Sequence, residues 1–179
     1  MIGEDFAALY DQFTHTAFRM ECRQTYAVPA EDASTRAFRE GLPRPERSVR
    51  TSPWLRRIAV TTAQGKDWSR LRLVEWPLTE YTRHELLGFV ESQAAGERIM
   101  LADRAEVGYD GPDFWLFDAG TDRARAGLLH YTDDGEIKHR ELVADPGYTA
   151  WLTEVKDQAL RGAVPLNTFL AAVDGRCRA

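Results

Sequence analysis

The chain is 179 residues long, 44% apolar and 28% charged, the composition of an ordinary globular protein and neither a disordered nor a membrane-embedded one. A formal net charge of −5 excludes a general attraction for nucleic acid or anionic lipid. No apolar window approaches the ~20 residues that cross a bilayer, and the acidic, amphipathic start MIGEDFAALYDQF is unlike a signal peptide, so a soluble, cytoplasmic protein of one domain, residues 1–179, is expected.

The average charge hides an asymmetry. Residues 36–72 hold nine Arg and one Lys against Glu40, Glu46 and Asp67, a local net of +7, which leaves −12 on the rest. Such a segment attracts anions locally or forms a solvated basic surface. The two cysteines, Cys22 and Cys177, have neither the spacing of a disulfide framework nor that of a zinc site; Cys22 reads as a small buried hydrophobe.

Along the chain, Phe6, Leu9, Tyr10 and Phe13 recur at helical spacing, which predicts a helix over 3–14. In 16–23, Phe18, Met20 and Cys22 alternate with Arg19, Glu21 and Arg23, the pattern of a half-exposed strand. A helix is expected over 30–41, ended by Gly41, then a proline-rich loop over 42–53 that is a candidate mobile segment. Pro53 to Gly65 reads as a helix with proline at its start and glycine at its end. Residues 68–76 alternate again, with Leu71 and Leu73 on one face and Arg70, Arg72 and Val74 on the other. After Pro77, Leu78, Tyr81, Leu86, Phe89 and Val90 mark a long helix over 78–95.

Short strands follow at 98–102, 113–118, 127–132 and 137–144, with Asp133-Asp134-Gly135 as a hairpin turn between the last two. Helices over 146–161 and 165–173 close the order, and residues after Asp174 are expected to fray. This sequence of elements predicts a mixed α+β fold: one mixed or antiparallel sheet of about five to six strands packed by helices.

Neither a dinucleotide fingerprint nor a Walker loop is present, nor a Gly-x-Ser-x-Gly nucleophile elbow, so no cofactor is expected. His15, His84, His130 and His139 are scattered and share no helix face at i, i+4, so no metal site is expected; His130 and His139 can face each other across the last hairpin, as ordinary cross-strand neighbours do. The helices at 53–65 and 78–95 are separated by a strand, which excludes a helix-turn-helix, and the aromatic run of an RNA-recognition fold is absent. Direct nucleic-acid binding is therefore not expected.

One polar set stands out. Arg19 and Glu21 share a face of the first strand, and Arg70 and Arg72 a face of the second; Tyr81 and Glu85 lie on one face of the long helix, with Arg83 about 160° round from Glu85. If the two strands are neighbours, Arg70 and Arg72 meet Glu21, and Arg19 is left to clamp a carboxylate or phosphate near the helix start. The competing reading is a salt-bridge ladder on a solvated face. The run Asp113-Phe-Trp-Leu-Phe-Asp118 looks like a central strand with both faces covered. Trp115 is then core, and each terminal aspartate is either an acid–base group or a turn cap.

At 16–21 (TAFRME), 77–85 (PLTEYTRHE) and 113–118 (DFWLFD) the chain resembles a domain-of-unknown-function family of streptomycete-type actinobacteria, from about Phe6 to about Leu170; 163–166 (AVPL) fits the same pattern. The resemblance implies a gene context beside helix-turn-helix regulators in WhiJ-type clusters, and so a non-catalytic regulatory or accessory protein with such a regulator as partner. It also allows a small-molecule-binding protein or enzyme of specialised metabolism. His84 stands where the family pattern has Phe, which puts an imidazole next to Glu85 in the chain and makes His84, Glu85 and Tyr81 the candidate catalytic groups. The candidate ligand-binding set is Arg19, Glu21, Arg70, Arg72, Tyr81 and Arg83.

Overall fold

A computed structural model describes residues 2–176, with side chains from Phe6 to Val173; of the stretch expected to fray after Asp174, residues 175 and 176 continue the last helix, and 177–179, with Cys177, lie outside the described residues. Helix α1 (Ile2–Gln12) leads into β1 (Thr16–Glu21), a 3-10 turn (Pro29–Glu31), α2 (Asp32–Arg39) and α3 (Pro53–Ala63). Then come β2 (Asp67–Val74), α4 (Glu80–Ala94), β3 (Glu97–Asp103) and the one-turn α5 (Arg104–Val107). The strands β4 (Asp113–Phe117), β5 (Arg125–Tyr131) and β6 (Ile137–Val143) precede α6 (Pro146–Leu160), β7 (Val164–Pro165) and α7 (Leu166–Arg176). The fold is mixed α+β on a single open sheet of seven strands in the order β6-β5-β4-β1-β2-β3-β7. The expected five to six strands become seven because β7 is only two residues long, too short to leave a periodic signal.

Helix starts follow the residues that cap them. Ser52 accepts from the Leu55 amide before α3, and Pro53 fills the first helical position. Thr79 accepts from the Thr82 amide at α4, and Asp145 from the Tyr148 amide at α6. Each satisfies an amide that the first helical turn leaves without a partner. Gly135, at φ 88°, closes the β5–β6 hairpin, and Gly127 lets α1 approach β5: a Cβ there would lie 2.2 Å from the Phe6 ring.

β1 runs parallel to β2, and β2 parallel to β3, whereas β4 joins β1 antiparallel. One face of the sheet carries Phe18, Met20, Leu71, Leu73, Phe114 and Leu116 against Leu152 and Ala159 of α6. The other face carries an aromatic cluster around Trp68, Trp115 and Phe117, covered by α1 and α3. It is continued by Ile99 and Leu101 beneath Leu86 and Phe89 of α4. Cys22 is a free, buried thiol, pushed up in pKa first by burial and then by Asp113. Trp115 lies in the core as expected.

Three expectations need correction. β1 is not half-exposed: both of its faces are buried, because helices cover the sheet on both sides. Val90 of α4 points to solvent at 46% exposure, outside the stripe assigned to it. The 42–53 loop is not loose: Arg44 donates to Ser34 and Glu91, and Arg47 to the Gly88 carbonyl and Glu91.

Asp118 is a turn cap rather than an acid–base group. At φ 49° its carboxylate accepts from the amides of Thr14, His15 and Thr16 and from the Thr14 hydroxyl, so it staples the start of β1 to the end of β4. Burial raises its pKa, but the amides outweigh burial and leave it lowered. Asp118→Ala is therefore expected to destabilise the fold by about 3 kcal/mol, the scale of two hydrogen bonds to a charged group, read from urea midpoints. Because the pKa is depressed in the folded state, the wild-type contribution is complete above the unfolded aspartate value of 3.8 and vanishes as the pH falls through the folded value. A variant as stable as wild type at neutral pH would remove the staple from the account.

Candidate functional site

The pairing of β1 with β2 sets Arg19 opposite Arg70 and Glu21 opposite Arg72. With period 2, all four point to the face covered by α1, α3 and α4. Glu21 Oε1 accepts from Arg70 Nη1 at 2.7 Å and from Arg19 Nε at 3.4 Å. Arg70 Nε donates to Glu97 on β3 at 2.9 Å. Arg19 Nη2 donates to Asp113 at the start of β4 at 2.9 Å and to the Tyr131 hydroxyl at 3.1 Å. Arg72 Nε donates to Glu85 of α4 at 2.6 Å, and its Nη1 to the Arg23 carbonyl. Asp113 also accepts from the Tyr26 hydroxyl at 2.6 Å and from the Cys22 amide.

This is a buried network, not the solvated ladder that strand alternation suggests: Arg19 is 4%, Glu21 6% and Arg72 0% exposed. Aromatic rings wall it in, with Arg19 over Trp115, Arg70 over Phe89 and Arg72 over Tyr26 at 5.2–5.8 Å. The anion clamp expected of Arg19 is not what the fold builds. Its guanidinium is taken by Glu21 and Asp113, and Arg19, Arg70 and Arg72 together face four carboxylates, Glu21, Glu85, Glu97 and Asp113.

The surplus carboxylate settles on Glu85. Burial, opposed by Arg72 and reinforced by the Glu21 charge, pushes its pKa up to about 7. Glu21 goes the other way: burial raises it, but Arg70, Arg19 and Arg72 together hold it low. Four atoms of the network, Arg19 Nη1, Arg72 Nη2, Glu21 Oε2 and Glu97 Oε2, are buried without a hydrogen-bond partner. That is costly in a low-dielectric interior and more common at functional sites than in cores optimised for stability.

Arg19, Glu21, Arg70, Arg72 and Glu85 thus come together. Tyr81 joins at the edge, donating to Glu31 at 3.1 Å, with its hydroxyl pushed up by burial, Glu85, Glu31 and Glu21 in that order. Arg83 does not join; its side chain is exposed on the far side of α4. Nor does His84 work with Glu85. One residue along a helix turns the side chain by about 100°, and the imidazole Nε2 instead meets Ser34 Oγ at 2.9 Å. Burial and then Arg44 lower its pKa, so it is a neutral packing group between α2 and α4. Sequence reasoning missed Tyr26, Glu31, Glu97 and Tyr131, because each lies on an element remote in sequence from the group it meets: Arg72, Tyr81, Arg70 and Arg19 in turn.

Beyond the carboxyl ends of β1 and β2, a pocket of about 390 Å³ opens between the 25–28 loop, α2 and the start of α4. Tyr26, Glu31 and Tyr81 line it, and the first and last of these are also the outermost contacts of the network. The two phenol rings meet edge to face with centroids 5.8 Å apart. Burial raises the Glu31 pKa, against the lowering effect of the Tyr81 hydroxyl. Arg39, the sole basic lining group among the described residues, is paired with Glu80 at 2.6 Å.

Two substitutions test the network. Arg72→Met leaves Glu85 without its cation and should cost about 3–5 kcal/mol, the scale for breaking a buried pair, measured by urea unfolding. Glu85→Gln tests the pH dependence. The folded-state pKa is raised, so the contribution of Glu85 is complete below its ordinary value of 4.5 and is lost as pH climbs through about 7. In that window wild-type stability falls and the glutamine variant stays level. Parallel profiles would mean that Glu85 is ionised throughout.

Comparison with curated proteins gives no match. The family model described as "Domain of unknown function (DUF6879)" covers residues 4–171, taking in every element of the network and the pocket. The chain belongs to the DUF6879 family.

Proposed function

We propose that the protein binds a small, amine-bearing organic molecule in the pocket above the carboxyl ends of β1 and β2. The observation that carries this reading is the pocket wall. Tyr26 and Tyr81 offer aromatic faces, Glu31 and Asp32 offer carboxylates, and the one guanidinium among the described lining residues, Arg39, is already paired with Glu80. Aromatic faces beside carboxylates attract a cation and repel an anion. Ligands of open sheets commonly sit beyond the carboxyl ends of parallel strands. The network behind the pocket fixes Tyr26 through Asp113, so that wall is set before a ligand arrives, which lowers the entropic cost of binding.

The ligand class follows from charge balance rather than from any catalytic constellation, and the reading is of binding alone. Its test is a thermal-shift screen of primary amines, polyamines and amino sugars against carboxylates and phosphates of similar size. A cognate amine at 100 times its Kd should add about 2.7 kcal/mol of stability. Glu31→Gln and Tyr81→Phe should remove most of that gain. Stabilisation confined to anions, or unchanged in both variants, would defeat the proposal.

A second reading is an accessory protein of a helix-turn-helix regulator, the role that the resemblance to actinobacterial proteins of WhiJ-type gene clusters implies. It is favoured by the surface of residues 36–60, where Arg36, Arg50 and Arg56 are exposed beside Leu42, Val49 and Val60, each more than 40% exposed. Cations mixed with apolar side chains suit an acidic protein surface. Co-purification with the regulator encoded nearby should fail for an Arg50→Glu, Val60→Asp double variant. Wild type that remains alone at micromolar concentration would exclude the partnership.

A further inference from the structure

The β5–β6 hairpin carries a cluster of ligating groups separate from the pocket. His130 and His139 are directly opposed across the two strands, with ring centroids 4.1 Å apart and planes within 9°. Glu141, two residues beyond His139 on the same face of β6, brings Oε2 to 3.4 Å from His130 Nε2. One ligand atom from each of the three lies within 4.8 Å of the other two.

We propose that His130, His139 and Glu141 form a binding site for a divalent transition ion of the zinc type, with water in the fourth position. Bonds of about 2.0–2.1 Å in a tetrahedron place ligand atoms roughly 3.4 Å apart. The His130–Glu141 separation already meets that edge, and His139 completes it by turning about its Cβ–Cγ bond, a soft torsion in histidine. The turn is sterically open, because His139 and Glu141 are exposed, while His130 is half-buried and anchors the site. Two imidazoles with one carboxylate select zinc, copper or nickel over magnesium or calcium, which prefer all-oxygen sites. Exposure of two of the three donors gives the ion a direct route from solvent.

The position has a structural consequence. β6 is an edge strand, and the strand register shifts between His130 and Tyr131. An ion that ties His130 to His139 and Glu141 clamps the edge at this irregularity. Tyr131, the next residue, points to the other face, where its hydroxyl accepts from Arg19. Metal binding would therefore steady the outer margin of the buried network without entering it.

The test uses tag-free, EDTA-dialysed protein titrated with ZnCl2 by calorimetry and with CoCl2 by visible absorption. One equivalent should bind, with cobalt giving the intense d–d bands of a four-coordinate site, and the melting temperature should rise with added zinc. His139→Ala and Glu141→Gln alter exposed side chains and should fold normally while losing more than an order of magnitude in affinity. His15→Ala, at an exposed histidine outside the cluster, should bind as wild type does. Absence of saturable zinc binding, or binding that survives His139→Ala, would overturn the site.

Discussion

The fold depends on a decision made at its centre: three guanidinium groups lie on the middle strands of a sheet and are matched by one carboxylate of β1 itself and three from other places in the chain. An isolated buried charge is prohibitively unfavourable, and removing one member of a buried pair is far worse than never having built it. The network therefore acts as a register lock. β1 supplies Arg19 and Glu21, β2 supplies Arg70 and Arg72, and the counter-charges come from β3, β4 and α4. A slip of one residue in either central strand would turn these groups into the apolar face beneath α6, where Phe18, Met20, Leu71 and Leu73 now pack. Hydrophobic contact alone tolerates many pairings; this arrangement of charges tolerates one.

The aromatic residues next to the network make the lock effective. Tyr10 sits among Trp54, Trp68, Trp115 and Phe117, its hydroxyl pushed up to about 12, chiefly by burial. This dry cluster abuts Arg19 through Trp115. Excluding water strengthens every ion pair nearby and equally raises the cost of any polar atom left over. Unpartnered atoms on Arg19, Arg72, Glu21 and Glu97 are thus a real burden. A chain selected for stability alone would sooner fill this face with leucine; here the charges instead adjoin a pocket whose two tyrosines touch each other and, through Tyr26 and Asp113, the network.

Much of this was legible in the residues. The alternation of Arg19 and Glu21 with Phe18 and Met20, and of Arg70 and Arg72 with Leu71 and Leu73, gives both strands and the faces they share. Asp133-Asp134-Gly135 gives the hairpin, and the prolines and glycines punctuate the helices. What alternation cannot reveal is whether a polar face meets water. A charged residue every second position reads the same on an exposed sheet and beneath a helix, and the distinction lies in partners such as Glu97 and Asp113 that are far away in the chain. The pairing of Tyr81 with Glu85 on one helix face was readable from spacing, whereas His84 was misread because adjacency in sequence is not adjacency on a helix. Glu31 and Tyr26 gave no periodic signal, since they stand in a single turn and a loop.

The topology nevertheless accounts for why the polar face is the covered one. β1, β2 and β3 are parallel and adjacent in that order, so two successive crossovers step across the sheet in the same direction. Crossovers of one hand stepping one way put both of their helices on one side. Here α3 lies over Trp68 and Trp115, and α4 over Ile99, Leu101 and Arg72, on the side that carries the arginines. The first crossover also has to travel the extra length of 22–52, and it spends that length as the 25–28 loop, a 3-10 turn and α2, which stand over the carboxyl ends of β1 and β2 and become one wall of the pocket. The salt links from Arg44 and Arg47 to Glu91 then bind that excursion to α4, the opposite wall. Burial of the charges and the existence of a pocket beside them are thus two results of one chain path, in which the connection between the first two strands is long enough to cover the face and also overhang its end.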